Sequence, residues 1–401
     1  MSSQISRATI VFSCLGHLYI HLCTAFFFVI VLSLESVWQR PYHELIELWT
    51  LGSLMVGVVA LPAGMLGDKL GASRMMVVYF LGMGGCAVAA GFTDSPDALM
   101  WCLAGLGAFA AIYHPVGIPW LVRNAGTRRG KVLGFNGIFG SLGTALAGVV
   151  AGSLIDLSSW RAAFIVPGVL CVLTGIVLLG FLLSGRISDS TVVRRDETHV
   201  SRSDMWRVFG ILITTMFLLA LVYQSIQTSL PKLIELRHGG LAGDGVFGIG
   251  LLVAGVYTAA AFMQVVGGHL ADRYPLKPVY IGALLIQVPT LWLAASLGGL
   301  PLLVVATIMV MAGVGALPAE NMLLARYTPE SRHGLVFGIK FVLSFGAAPL
   351  AVQLVAIITG RTGDFYWVYV LLTGFAFIAV CVALMLPRAR GMPAPQTAGA
   401  D

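Results

Sequence analysis

The sequence predicts an all-α membrane protein of twelve transmembrane helices in two pseudo-symmetric six-helix bundles. Three observations carry this. The 401-residue chain is 58% hydrophobic and 10% charged, with a mean hydropathy of +0.91, whereas soluble proteins carry roughly 25% charged residues. Its apolar residues divide into twelve long stretches, each enough to cross a hydrocarbon core of roughly 30 Å as a helix of about 20 residues. The two halves also repeat one another at a constant offset of 204 residues, and internal duplication in an apolar chain marks proteins whose halves rock about a central site.

The stretches fall near 8–33, 45–66, 74–94, 96–122, 131–154, 158–184, 205–229, 241–266, 277–299, 300–326, 333–360 and 364–387. They set the organisation: an N-terminal bundle over 1–184, a polar cytoplasmic linker over 185–204, a C-terminal bundle over 205–387, and a disordered cytoplasmic tail over 388–401. The start MSSQISR precedes an apolar run too long for a signal peptide and without an A-x-A-like cleavage site, so it reads as a retained first span. Lysine and arginine fix the orientation, because short basic loops stay on the cytoplasmic side. With both termini cytoplasmic, only Arg40, Arg161, Lys232, Arg237 and Arg361 of the 24 basic residues fall outside, and Lys340 lies within a stretch. The net charge of +6 is thus a topology signal and implies no nucleic-acid partner.

In order along the chain, the first stretch carries GHLYIH, in which His17 and His21 stand four apart on one helix face with Tyr19 behind them. The second ends in AGMLGDKLGASR, with Gly64, Asp68, Lys69 and Arg74. The fourth holds His114 before Pro115, which removes a backbone hydrogen bond and should bend the helix. The fifth opens after Arg128, carries Asn136, and continues as a ladder of small residues, Gly140, Thr144, Gly148 and Gly152, which reads as helix packing. The seventh brings Tyr223, Gln224 and Gln227 within one and a half turns, an aromatic and amide set suited to a mixed organic ligand. The eighth ends in VGGHLADRYPLK, where Gly268, Asp272 and Arg273 repeat Gly64, Asp68 and Lys69. Span ten holds Pro318, the repeat of Pro115, and Glu320, the repeat of Val116; span eleven opens after Arg332, the repeat of Arg128, and carries Lys340, the repeat of Asn136. The cysteines, Cys14, Cys23, Cys86, Cys102, Cys171 and Cys381, fall inside stretches without metal-ligand spacing and read as packing residues.

G-x-L-x-D-[KR] at the cytoplasmic end of a span suits a gate: glycine permits close helix approach, and the aspartate can face a helix N-terminus carrying about half a positive charge. The repeats supply crosswise partners, Asp68 facing Ser331 and Arg332, and Asp272 facing Thr127 and Arg128. A plainer reading makes both loops polar turns that hold topology. At GMLGDKLGASR and its echo GGHLADRYPLK the chain resembles the major facilitator superfamily. The resemblance implies two six-helix bundles, a central cavity and alternating access, with the loop aspartates latching the cytoplasmic side shut in the outward-facing state. The second copy departs at Pro275, where a glycine is usual. A finer resemblance, to the fosmidomycin-resistance-like branch, rests on GHLYIH and on IYHPVG followed by RRG. His17, His114, Pro115 and the Arg129–Gly130 pair match, while His21 and Val116 stand where that branch has Asp and Glu.

Charge at mid-bilayer costs at least about 2.5–3.5 kcal/mol per residue, so it faces a cavity or a partner. Glu320 and Lys340 lie at similar depth with opposite charge, either as a structural ion pair or as a cavity pair that one proton or one anionic substrate can split. His17, His21 and His114 are either neutral, hydrogen-bonded bundle residues or proton carriers, since histidine titrates near neutrality. Together His17, Tyr19, His21, His114, Asn136, Tyr223, Gln224, Gln227, Glu320 and Lys340 form the expected cavity, with no catalytic, metal or cofactor site: there is no nucleophile elbow, Walker loop or ligand set. The balance of basic side chains favours an anionic or zwitterionic solute. The expected protein is a monomeric secondary transporter in the inner membrane, with a small-molecule substrate, a proton or other coupling ion and the lipid bilayer as partners. Proton-coupled efflux is the leading reading; proton-linked uptake of an organic acid and a non-cycling membrane receptor are the alternatives.

Overall fold

The computed structural model describes residues 7–126, 129–187, 202–243, 245–328 and 333–387. Among these, twelve helices are long and apolar enough to cross a membrane. The first half contributes spans one to six, Arg7–Trp38, Tyr42–Leu70, Ala72–Ala90, Pro96–Asn124, Lys131–Leu157 and Trp160–Leu183. The second contributes spans seven to twelve, Arg207–Arg237, Val246–Arg273, Leu276–Ala294, Gly299–Arg326, Val342–Thr362 and Tyr366–Leu384, the helix of span eleven beginning at His333 and so including Lys340. Span seven runs two turns beyond its apolar stretch, and Lys232 and Glu235 pair with each other within that extension. Large apolar side chains such as Phe262, Val265, Trp292 and Phe377 stay exposed on the outer faces, a liability in water that suits contact with lipid tails.

The duplication read from the sequence reappears as packing. Span one packs on five, two on four, three on four and three on six; in the second half seven packs on eleven, eight on ten, nine on ten and nine on twelve. The halves meet where span two packs on eleven and span five on eight, contacts again related by the repeat. Within the ladder on span five, a Cβ built on Gly148 would stand 2.9 Å from the carbonyl oxygen of Gly250, and one on Gly152 would stand 2.7 Å from Cα of Phe247. These glycines let two backbones touch across the halves. Gly148→Val is therefore expected to cost about 1–3 kcal/mol through overpacking against rigid backbone, read as a lower melting temperature of the purified protein; an unchanged melting temperature would mean that this contact is not made.

The gate motif is only partly as expected. Gly71 ends span two at φ 94°, a conformation that suits glycine, and it turns the chain into span three in one residue. Its repeat partner Pro275 makes the corresponding turn at φ −57°, so the second copy uses a different backbone route to the same place. Close helix approach falls on Gly64, where a Cβ would stand 3.3 Å from Pro115 Cβ, on Gly67, against Val116, and on Gly267, against Gly315, whereas a Cβ on Gly268 would meet nothing within 4 Å. Asp68, Lys69, Arg74, Asp272 and Arg273 are exposed. Thr127, Arg128, Ser331 and Arg332 lie outside the described residues, as do most of the linker and the tail.

Polar contacts between the halves gather at the opposite end, where span one finishes. Lys232 of span seven pairs with Glu35 of span one, and the Tyr42 hydroxyl donates to the Thr228 carbonyl at 2.8 Å. Gln353 donates to the Thr50 hydroxyl at 2.9 Å. Asp156 of span five accepts from the backbone N–H groups of Val246 at 3.2 Å and Phe247 at 2.9 Å, capping the N-terminus of span eight across the interface. These contacts seal the end at which span one finishes. At the Asp68 and Asp272 end, the residues expected to face the two aspartates lie outside the described residues.

Candidate central cavity

Between the halves, below the seal, lies a cavity of about 480 Å³. It collects side chains from both bundles: His17, His21 and His114 on one wall, Tyr223, Gln224 and Gln227 from span seven, and Glu320 and Lys340 on the far wall. Eight of the expected cavity residues are thus brought together. Two are not among its lining. Tyr19 points the other way, its ring edge-on to Phe80 at 6.2 Å and its hydroxyl accepting from Thr174 at 3.4 Å. Asn136 is 2% exposed and sits behind the histidines, where its Nδ2 donates to the Tyr113 hydroxyl at 3.0 Å.

The local backbone explains how His114 reaches the cavity. Residues Tyr113–Gly117 form a π-helical turn around Pro115, the widened turn that a proline's missing N–H permits and that recurs at functional sites. Pro318, by contrast, lies within an unbroken α-helix, Gly299–Arg326, so the paired break expected at these two prolines is confined to the first half.

Glu320 and Lys340 meet directly. The Lys340 Nζ donates to Glu320 Oε1 at 2.6 Å and to Asn321 Oδ1 at 2.5 Å, and the Tyr280 hydroxyl donates to Glu320 Oε2 at 3.2 Å. Both charged residues are buried, at 3% and 8% exposure, yet both line the cavity. Among the described lining residues they are the acid and the cation, so the cavity is neutral as it stands. Other polar groups were not singled out in the sequence. Gln264 accepts from the Ser141 hydroxyl at 3.3 Å across the halves, and both line the cavity. The Tyr257 hydroxyl and Gln287 Oε1 are buried, without a hydrogen-bond partner among the described residues, on the cavity wall. Buried polar atoms without partners are uncommon and call for an explanation, such as a ligand. Amides within otherwise apolar spans were the available signal for Gln264 and Gln287.

The family model of the Major Facilitator Superfamily matches residues 14–248 and 241–401. The 4-hydroxybenzoate transporter PcaK of Pseudomonas putida is 26% identical over 388 residues, covering 84% of this chain and 81% of PcaK. The multidrug efflux pump LfrA of Mycolicibacterium smegmatis is 31% identical over 126 residues, 30% of this chain and 25% of LfrA, so that likeness spans about a quarter of the pump. Among solved structures, a bacterial homologue of the human lysosomal transporter Spinster, in an inward-facing and occupied conformation, superposes with a TM-score of 0.77 at 14% identity, covering 96% of this chain and 97% of that one. The finer likeness to the fosmidomycin-resistance-like branch stays an expectation. With the match running through both repeats and the fold shared along the whole chain, this protein belongs to the Major Facilitator Superfamily, a family of multi-pass membrane transporters rather than enzymes.

Proposed function

We propose that this protein carries a small organic acid across the inner membrane together with a proton, with Lys340 holding the substrate carboxylate. The observation that carries the reading is the Lys340–Glu320 pair at the wall of the cavity. An incoming carboxylate can take the place of Glu320 on the ammonium, but a buried carboxylate left without its cation is strongly disfavoured. Protonation of Glu320 removes that cost, keeps the cavity neutral, and couples one proton to one carboxylate charge. The apolar remainder, with Tyr223, Tyr257 and Phe345, suits an aromatic or similarly compact skeleton. A carboxylate is favoured over a multidrug substrate because the likeness to the 4-hydroxybenzoate transporter PcaK runs through both halves, whereas that to the multidrug efflux pump LfrA covers under a third of the chain.

The positive-inside rule puts both termini, Asp68 and Asp272 in the cytoplasm, which makes the sealed end the outer one. Purified protein in liposomes is expected to accumulate 4-hydroxybenzoate or a related carboxylate when the outside is made acidic, and to lose that accumulation when the gradient is collapsed. Failure of a panel of aromatic and aliphatic carboxylates to move with the pH gradient, alongside export of cationic drugs, would replace this reading with multidrug efflux.

The gate supplies a further test. Asp68 is exposed here, so Asp68→Asn should leave the melting temperature unchanged. A carboxylate facing a helix N-terminus is worth roughly 0.3–2 kcal/mol, and its loss from the state closed at that end should slow transport by roughly twofold to thirtyfold. Full transport in Asp68→Asn, Asp272→Asn and the double variant would return both loops to a topological role.

A further inference from the structure

The wall opposite Lys340 carries an arrangement that organic-acid transport does not use. His17 and His21 lie one turn apart on span one, and the π-helical turn of span four brings His114 against both. Ring centroids stand 5.0 Å apart for His17 and His21, 5.6 Å for His17 and His114, and 5.7 Å for His21 and His114. One ring nitrogen from each lies within 4.8 Å of the others. We propose that His17, His21 and His114 form a binding site for a divalent late first-row transition metal ion, of the class of zinc, nickel or cobalt, with an open coordination position facing the cavity.

The surroundings of His17 are those of a metal ligand. Its Nδ1 stands 2.8 Å from the backbone carbonyl of Asn136. A carbonyl can only accept, so Nδ1 carries the proton and Nε2 presents a bare lone pair. An outer hydrogen bond of this kind to a carbonyl fixes tautomer and ring orientation in metal-bound histidines. The ring is also held by Tyr113, stacked on it at 5.1 Å with 21° between planes, and the Tyr113 hydroxyl is anchored on the Ser13 carbonyl at 2.8 Å. On the Nε2 side the neighbour is Gly140, where a Cβ would stand 2.6 Å from both Cε1 and Nε2. Glycine at this rung of the ladder keeps the coordinating face of the ring clear, whereas Gly148 and Gly152 serve packing.

The donor set selects the ligand. Imidazole suits zinc, copper, nickel and cobalt, while calcium and magnesium take oxygen ligands. Metal–nitrogen bonds of roughly 2.0–2.1 Å place tetrahedral donors about 3.3 Å apart. The three nitrogens therefore need to close by at most about 1.5 Å, within reach of rotation about the side-chain bonds. Three histidines with a fourth position open are an established zinc arrangement. Being neutral ligands, they leave the ion's charge uncompensated, so the open position attracts water or an anion from the cavity. The site stands on the histidines alone and holds whichever solute is carried.

The test uses tag-free, full-length protein in detergent, titrated with zinc chloride by calorimetry and with cobalt(II) by absorption spectroscopy. One ion per chain is expected, with the visible bands of four-coordinate cobalt, displaced by zinc. His17→Gln, His21→Gln and His114→Gln should each weaken binding at least tenfold, while His43→Gln, at the sealed end, should leave it unchanged. Equal binding by the wild type and the triple variant, or an equal loss in His43→Gln, would overturn the site. Should the variants fail to fold, the wild-type cobalt spectrum decides: six-coordinate cobalt, or none bound, would reduce the histidines to a packed aromatic cluster.

Discussion

Lys340→Ala is expected to abolish accumulation of an organic acid and to destabilise the protein by about 3–5 kcal/mol, the cost of leaving one member of a buried ion pair without the other. The two effects have different origins. Glu320 would keep only the Tyr280 hydroxyl and would have to stay protonated or draw in water. The substrate carboxylate would lose a charge-assisted hydrogen bond worth about 1.5–3 kcal/mol, roughly a tenfold to hundredfold weaker affinity. Exchanging the charges separates the roles. Lys340→Glu combined with Glu320→Lys restores a pair and should recover much of the stability, but it moves the ammonium to span ten and places a carboxylate where the substrate docks. Recovery of the melting temperature without transport is the expected result. Recovery of both would leave the pair as a structural bridge and remove Lys340 from substrate contact. A single Glu320→Gln should still bind the acid, because Lys340 remains, while its transport should cease to respond to the pH gradient.

That pair was legible in the sequence for a thermodynamic reason. Two opposite charges at similar depth in apolar helices must find one another or a cavity, and here they do both. The internal repeat of 204 residues reappears in the pairing of spans, because duplicated sequence folds into duplicated packing. The same repeat misled at Asn136. It matches Lys340 in backbone position, but a short amide reaches the nearby Tyr113 hydroxyl whereas a lysine extends to Glu320 and Asn321. Tyr19 failed for a geometric reason: two residues from each histidine, it sits about 200° around the helix from both, so His17 and His21 facing the cavity turn it toward spans three and six. The π-helical turn at Pro115 is no part of a hydropathy pattern, and it is what joins His114 to the histidines of span one. Tyr257 and Gln287 stand out through their unpartnered atoms, which only the packed structure reveals. Which end is sealed rests on a balance between two arrangements of the same helices, and apolar periodicity, which both arrangements share, does not encode that balance.

Lys232→Ala is expected to open the sealed end. Lys232 lies between Glu35 of span one and Glu235 of its own helix, with its Nζ 5.8 Å from the centroid of the Tyr42 ring, and Tyr42 in turn is hydrogen-bonded across the halves to Thr228. Removing the cation leaves two carboxylates facing each other at the boundary between the bundles, which favours any state that separates them. Each 1.4 kcal/mol is tenfold in an equilibrium, so a loss of about 2 kcal/mol from the sealed state shifts the population roughly thirtyfold. Thr24, half-buried in the cavity wall, is a suitable reporter. In a cysteine-free background, Thr24→Cys should react slowly with a membrane-impermeant maleimide applied from the Lys232 side and readily from the Asp68 side. Adding Lys232→Ala should raise the first rate by roughly thirtyfold, and Lys232→Arg should not, because it keeps a cation between the two carboxylates. An unchanged rate in Lys232→Ala would mean that the seal rests on the glycine contacts and the Asp156 cap, with the ion pairs contributing little. Labelling from right-side-out and inverted vesicles also fixes which end is cytoplasmic: fast reaction of the parent from outside would reverse the assignment drawn from the basic loops.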